Sequence, residues 1–214
     1  MRIQFTTMTQ RSGNVYYLPM SLTRHNPKEV AGLIYESAPA LFALMFGSHA
    51  IAQLIELVQR SHNRFSHQYI RIAEIDDQSV GIATLVPAAY VNADADYREI
   101  LNFSQKLWLN LVQHILLQHV LQHDYPVGTF YIGNLAVAAK YRNQGIGRQL
   151  LSQCIAEVTT PSSTIFMSVD VSNERAQKLY ESLGFQMVAM KTIRLFRTTI
   201  GSRILSLSIP KHSR

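Results

Sequence analysis

Arg142, Gly145, Gly147 and Arg148 stand close together in Val137-Ala138-Ala139-Lys140-Tyr141-Arg142-Asn143-Gln144-Gly145-Ile146-Gly147-Arg148, immediately ahead of an apolar-periodic segment. Residues of these types at this spacing suit an anion. The first turn of a helix presents backbone N–H groups without intrahelical partners and about half a positive charge, which together hold phosphate well. Glycine at 145 and 147 removes side chains that would keep an anion off the backbone. The guanidiniums of Arg142 and Arg148 add cationic donors nearby. With Asn143, Gln144 and Ile146 filling the turn, the segment reads as a diphosphate cradle.

Three other interpretations compete for it. A Walker loop needs Gly-x-x-x-x-Gly-Lys-Ser/Thr, a string this sequence does not contain. A dinucleotide fingerprint needs Gly-x-Gly-x-x-Gly directly after a strand. Here Leu150 stands where the third glycine belongs, although Asp170 imitates the ribose-binding acid, so an NAD(P)-binding protein stays open as an alternative. An ordinary helix start that uses glycines as a turn is the third.

Other chemistry-bearing residues are sparser. Cys154 is the single cysteine and falls on the inner face of the helix after the glycines, so it reads as a core thiol. His114, His119 and His123 share one helical stretch, but without an acidic third ligand or a His-Glu-x-x-His pattern they read as a solvated face, and no metal is expected.

These residues need elements to position them. Alternation over 14–22 predicts a first strand. Asn26-Pro27-Lys28-Glu29 is a helix start, with Asn as cap, Pro in the first turn and Glu at the positive end of the dipole. Pro39 ends that helix, and a second opens at Gly47-Ser48. Strands over 68–75 and 79–86 flank the turn Asp76-Asp77-Gln78, a hairpin signal. Residues 87–96 read as a loop and 97–123 as one long helix. A dense apolar strand over 129–137 precedes the glycine-bearing turn; the helix 145–158, a buried strand over 164–171 and a short helix over 173–183 follow. Asn173 caps that last helix and Gly184 closes it in a left-handed conformation. Strands over 186–189, 193–200 and 204–209 finish the chain. Residues 1–13 read as a flexible extension, 14–214 as one α/β domain, and 94–124 as a helical insertion within it.

The chain has 214 residues, 47% hydrophobic and 16% charged, enough for a core without disulfides or metals. Its net charge of +6 suits a polyanionic ligand. Basic residues form no run, and the carboxylate-free stretch with Lys191, Arg194, Arg197, Arg203, Lys211 and Arg214 reads as a strand with solvated partners, so no nucleic acid is expected. No apolar run approaches the roughly 18 residues a membrane span needs. The first residues do not resemble a secretory signal. A cytoplasmic setting, with no membrane partner, is the default expectation.

The skeleton Arg142-x-x-Gly145-x-Gly147 resembles motif A of the GCN5-related N-acetyltransferases (GNAT). Asn173, Ala176, Tyr180, Gly184 and Phe185 match that family's motif B, Asn-x-x-Ala-x-x-x-Tyr-x-x-x-Gly-Phe. The two lie in the family's order, with a buried strand between them. Ala139 departs mildly, standing where the family often has proline.

The resemblance implies a mixed, mostly antiparallel, twisted sheet flanked by helices and splayed between strands four and five. The insertion would lie between strands three and four. It also implies acetyl-CoA as co-substrate and direct transfer to an amine without an acyl-enzyme. Backbone groups of Leu135, Ala136 and Val137 would pair with the pantetheine arm. Arg142, Asn143, Gln144, Gly145, Ile146, Gly147 and Arg148 would hold the diphosphate, Asn173 would bond near the pantetheine, and Tyr180 would protonate the departing thiolate. The family often carries a base on the fourth strand, but 129–134 holds no carboxylate; Glu36, Glu74 and Asp170 are the candidates, with surface roles the simpler assignment for the first two. A small-molecule amine is the expected acceptor, with a protein N-terminus or lysine as the alternative. A non-catalytic CoA-binding regulator is the remaining one, and the chain would be a monomer or homodimer.

Overall fold

The computed structural model describes residues 10–12, 14–93, 95–112, 125–195 and 198–210. Among the described residues, eight strands form one sheet: β1 Gln10–Ser12, β2 Val15–Pro19, β3 Ile70–Ile75, β4 Gln78–Pro87, β5 Phe130–Val137, β6 Thr164–Asp170, β7 Gln186–Leu195 and β8 Thr198–Ser208. Their order is β1-β2-β3-β4-β5-β6-β8-β7. Every neighbouring pair is antiparallel except β5 with β6. The mostly antiparallel, splayed sheet expected from the resemblance is therefore present. Its strands four and five are β5 and β6, because Gln10–Ser12, expected in a loose extension, pairs with β2 and adds an edge strand.

β4 is buried from Val80 to Pro87 without alternation, as a strand covered on both faces must be. One face carries α1 (Pro27–Ser37), α2 (Pro39–Phe46) and α3 (Ala50–Gln59), which bury Val30, Ile34, Phe42, Leu54 and Leu57 against Ile70, Ile72 and Ile82. α4 (Ala88–Val91), α5 (Ala95–Ile100) and α6 (Phe103–Val112) lie between β4 and β5, where the insertion was expected. The other face carries α7 (Ile146–Glu157) and α8 (Glu174–Glu181), which pack Ile146, Leu150, Leu151 and Tyr180 against Leu85, Ile132 and Met167. Gly81 lets α7 lie close, since a Cβ there would come within 3.2 Å of both the Ala136 carbonyl and Leu150. At the far end of α7, Glu157 accepts both Arg71 Nε (2.8 Å) and Nη2 (2.6 Å), a buried clamp between helix and β3.

Several expectations need correcting. Residues 97–112 are two helices, because Asn102 and Gln105 form a reciprocal cap. The Asn102 side chain accepts from Gln105 N (2.9 Å), and Gln105 Oε1 accepts from Asn102 N (3.0 Å). The rest of the expected helix, with His114, His119 and His123, lies outside the described residues, as does Asp94. Residues 88–91 form a helical turn within the expected loop. Pro39 opens α2 as well as ending α1, and a 3-10 turn at Gly47–His49 precedes α3. Pro39–Gln59 is long and apolar enough to cross a membrane by length and composition, contrary to expectation. Gly47, at φ 59°, breaks it into two helices whose Phe42, Phe46, Leu54 and Leu57 line the core. The three terminal strands expected over 186–209 are two long ones. A bulge at Met187–Ala189 absorbs one residue, and Gly201 allows contact with Lys191 O, which a Cβ would approach to 2.3 Å.

Candidate active site

The site is made where β5 leaves β6. The strands pair only over Phe130–Ile132 and Ile165–Met167, and no further pair forms among the described residues. The cause lies on the other edge of β5. Ala83 pairs with Leu135 and Leu85 with Ile132, so Gly133 and Asn134 together face Thr84 in a bulge. Thr84 Oγ1 accepts the extra N–H, that of Asn134, at 3.0 Å. The oxygen would stand 2.6 Å from a Cβ at position 133, so the bulge needs glycine there. Beyond it β5 bends from β6.

Ala138 N donates to Val80 O, so by the alternation of a strand the peptide groups of Leu135 and Val137 turn the other way, to the edge facing the gap. Ala136 pairs with Ile82. Leu135, with both its N–H and C=O, and Val137, with its N–H, thus offer strand-type hydrogen bonds to an extended ligand, whereas Ala136 spends its own on the sheet.

The chain then turns through a 3-10 helix, Ala139–Tyr141, with Asn143 at φ 66° and Gly145 at φ 81°. Gly145 is the N-cap of α7, and among the described residues no side chain caps this helix. α1 and α8, by contrast, are capped by Asn26 and Asn173. The N–H groups of Ile146, Gly147 and Arg148 therefore open a bare helix N-terminus, with Gln149 N the first to bond back, to Gly145 O. A Cβ at 147 would meet Val137 and Leu135 at ordinary contact distances of 3.7 and 3.9 Å, and one at 145 would meet nothing within 4 Å. Among the described residues, nothing approaches within 4 Å the space a Cβ at 145 would take.

The arginines of the turn are anchored by the protein itself. Arg142 Nε donates to Val137 O (2.8 Å) and its Nη2 pairs with Glu36 at 3.3 Å, tying the turn to α1. Arg148 donates to Ser182 Oγ (2.7 Å) and Ser182 O, tying α7 to α8. Both side chains also have protein partners, which hold two exposed guanidiniums beside the bare helix N-terminus. Gln144 Nε2 bonds Lys140 O at 3.4 Å. Arg175, which drew no notice in the sequence, donates from α8 to Asn143 Oδ1 and brings a third guanidinium to the rim.

Asn173 Oδ1 accepts from Ala176 N (3.1 Å), so its oxygen caps α8 and only its amide nitrogen remains for a ligand. Tyr180 is 7% exposed, packed edge-on against Phe185. Burial, with a smaller contribution from nearby Tyr131, pushes its hydroxyl up to about 12, so it holds its proton at neutral pH. Its hydroxyl has no hydrogen-bond partner among the described residues. Tyr131 bonds Ser168 Oγ of β6 at 2.7 Å, on the opposite face of the gap. Cys154 is fully buried and its thiol is pushed up to about 12 by burial, which makes it a core thiol and no nucleophile.

Each of the three candidate bases already has a partner within the protein. Glu36 is half exposed and pairs with Arg142. Glu74, expected at the surface, is buried beside His25 near the β3–β4 hairpin and pairs with the half-exposed Arg24, because the loop after β2 folds over it. Asp170 accepts from Ser172 N (2.8 Å) and Ser172 Oγ in a local turn. Among the described residues, no cluster of His, Cys, Asp and Glu fits a metal.

Comparison with known proteins agrees with this geometry. The acetyltransferase (GNAT) family model matches residues 40–185. N-alpha-acetyltransferase 30 of Xenopus laevis is 41% identical over 68 residues, 31% of this chain and 23% of that one. The [ribosomal protein bS18]-alanine N-acetyltransferase of Escherichia coli K12 is 41% identical over 59 residues, 27% of this chain and 40% of that one. A GNAT family acetyltransferase from Elizabethkingia anophelis, solved with acetyl-CoA bound, superposes over 92% of this chain and all of that one, with a TM-score of 0.53 at 16% identity.

Proposed function

The chain belongs to the acetyltransferase (GNAT) family, and from that premise we propose that it transfers an acetyl group from acetyl-CoA to the primary amine of a small molecule. The observation that carries this is the uncapped N-terminus of α7 beside the unpaired edge of β5. The first suits a diphosphate and the second an extended chain of amides. A single ligand with both parts, such as coenzyme A, would occupy them together. When bound, acetyl-CoA supplies the thioester whose acetyl group the amine takes.

The residues of this chain then have separate tasks. Amides of Ile146, Gly147 and Arg148 hold the diphosphate oxygens, with Arg175 at the rim. Leu135 and Val137 hold the arm straight and set the thioester at the bulge. Tyr180 keeps a proton available for the sulfur as the carbon–sulfur bond breaks and the carbon–nitrogen bond forms. The proton lost by the amine leaves to water, since Glu36, Glu74 and Asp170 are each engaged by other groups of the protein.

A second acceptor class, the α-amine of a peptide, is favoured by the two relatives just named, whose names describe N-alpha and alanine N-acetylation. A thermal-shift comparison of acetyl-CoA, NAD(P) and ATP, followed by free-thiol release with amines and peptides, tests the proposal. It requires that acetyl-CoA alone raise Tm and that a small amine release free coenzyme A. A shift with NAD(P) instead would reject it. Binding without transfer to any amine would leave a CoA-binding regulator.

A further inference from the structure

Arg64 lies in the loop between α3 and β3, and its side chain is turned into the site. The Cζ atom sits 5.5 Å from the centroid of the Tyr131 ring and 5.4 Å from that of Phe65. Nη2 lies 3.7 Å from where a Cβ would stand at Gly133, so the guanidinium reaches the bulge on which the thioester would rest. Its partners among the described residues are aromatic faces; it makes no ion pair with any of them.

The loop is built to hold it there. Asn63, fully buried, donates to Leu57 O (2.9 Å) and Asp96 Oδ2 (2.7 Å) and accepts from Phe65 N (2.8 Å). Phe65 is buried against Phe42. Arg64 is thus clamped on both sides, with its backbone fixed before any ligand arrives. Asp96, a carboxylate close by, accepts from His62 N (2.7 Å) as well as from Asn63, which turns its oxygens into the loop, and it makes no ion pair with Arg64. A preorganised, planar guanidinium beside a reacting centre recognises a carboxylate in a two-pronged geometry that lysine does not match. The Tyr131 and Tyr125 rings, 5.1 Å apart, give that neighbourhood an aromatic wall suited to a short carbon skeleton.

We propose that Arg64 is the specificity-determining residue of the acceptor site, binding the carboxylate of a small amino acid whose amine lies within a few carbons of it. This rests on the acetyl-transfer function assigned to the same site. A peptide N-terminus carries an amide at that distance and leaves the guanidinium unanswered.

The test compares free amino acids of increasing amine-to-carboxylate spacing with their carboxamides and with an uncharged peptide amide. The full chain is used at saturating acetyl-CoA, with free-thiol release as readout. The wild type should prefer the best carboxylate over its carboxamide by about 10- to 100-fold in kcat/KM, the range for a hydrogen-bonded charge pair. Arg64→Gln should erase the preference mainly through KM, and Arg64→Lys should restore part of it. The Tm rise with acetyl-CoA, measured on each variant, shows that the donor site and fold survive. Equal use of carboxylate and carboxamide by the wild type, preference for the peptide amide, or an unchanged preference in Arg64→Gln overturns the assignment of Arg64 while leaving acetyl transfer intact. If acetyl-CoA neither raises Tm nor is consumed with any amine, the proposed function fails and this inference falls with it.

Discussion

Replacing Tyr180 by phenylalanine removes one oxygen from a buried ring that has no hydrogen-bond partner among the described residues. The stability cost should therefore be small, within about 0.5 kcal/mol, because no partner is left unsatisfied. Catalysis should respond differently. With its hydroxyl pushed up to about 12, Tyr180 is protonated throughout the neutral range and is a donor only. Loss of a general acid costs roughly 10²–10⁴-fold, so Tyr180→Phe should lower kcat into that range with the acetyl-CoA Kd unchanged. Steady-state free-thiol release and calorimetric titration measure the two quantities on one preparation. The pH profile adds a check: the raised value keeps the donor protonated past pH 10, so the wild-type rate should not fall there through Tyr180. Turnover of Tyr180→Phe within about threefold of the wild type would refute the acid role and leave Tyr180 as packing.

Gly145→Ala tests the diphosphate cradle. Nothing crowds the new methyl, but φ 81° costs an L-residue about 1–2 kcal/mol, and relief by rotation would re-aim the amides that follow. The acetyl-CoA Kd should rise at least about tenfold by calorimetry, and an unchanged Kd would exclude this helix end as the anchor. Glu157→Gln removes the carboxylate that answers the buried charge of Arg71, whose side chain is 2% exposed. Stability in urea should fall by about 3–5 kcal/mol. Alkaline pH should destabilise the native state. Burial raises Tyr69 and Tyr180 to about 12 and pushes Tyr97 and Tyr125 upward as well. The unfolded chain then releases those protons from about pH 10 while the native one keeps them, so the stability they contribute is full below pH 10 and lost on the way to pH 12. Urea midpoints at pH 8, 10 and 11 check this, and a midpoint constant across that range would contradict it.

What the sequence made legible was local chemistry. Gly145, Asn173 and Gly184 fix helix ends through backbone conformation and caps within three or four residues of themselves, so their positions can be read before any tertiary contact is known. The expected strand–turn–helix around Arg142–Gly147 followed for the same reason. What stayed hidden depends on partners far apart in the chain. Arg71 and Glu157 are 86 residues apart, and Thr84 and Asn134 are 50 apart. Arg64 acquires meaning only when the loop after α3 is laid against the β5 bulge. Arg142 and Arg148 were legible as cations that suit phosphate, but their contacts with Glu36 and Ser182 were not, because those depend on how α1 and α8 pack. Gln105 was a capping signal present in the sequence three residues after Asn102, and it marks the break in the helix expected over 97–123.

The bulge ties these pieces into one device. β5 must pair with β4 on one edge and leave the other free, or no ligand can take a strand's place beside it. A regular ladder would carry β5 straight along β6 and close the gap. Thr84 prevents this with a hydroxyl that occupies the space of a Cβ at 133 and accepts the surplus N–H of Asn134. Asn134 in turn donates to Ser37 Oγ at 2.7 Å, fastening the bulge to the end of α1. The unpaired edge of β5, the Arg64 guanidinium and the α1 terminus therefore meet at one irregularity, and its geometry is set by two residues, Thr84 and Gly133, neither of which carries chemistry of its own.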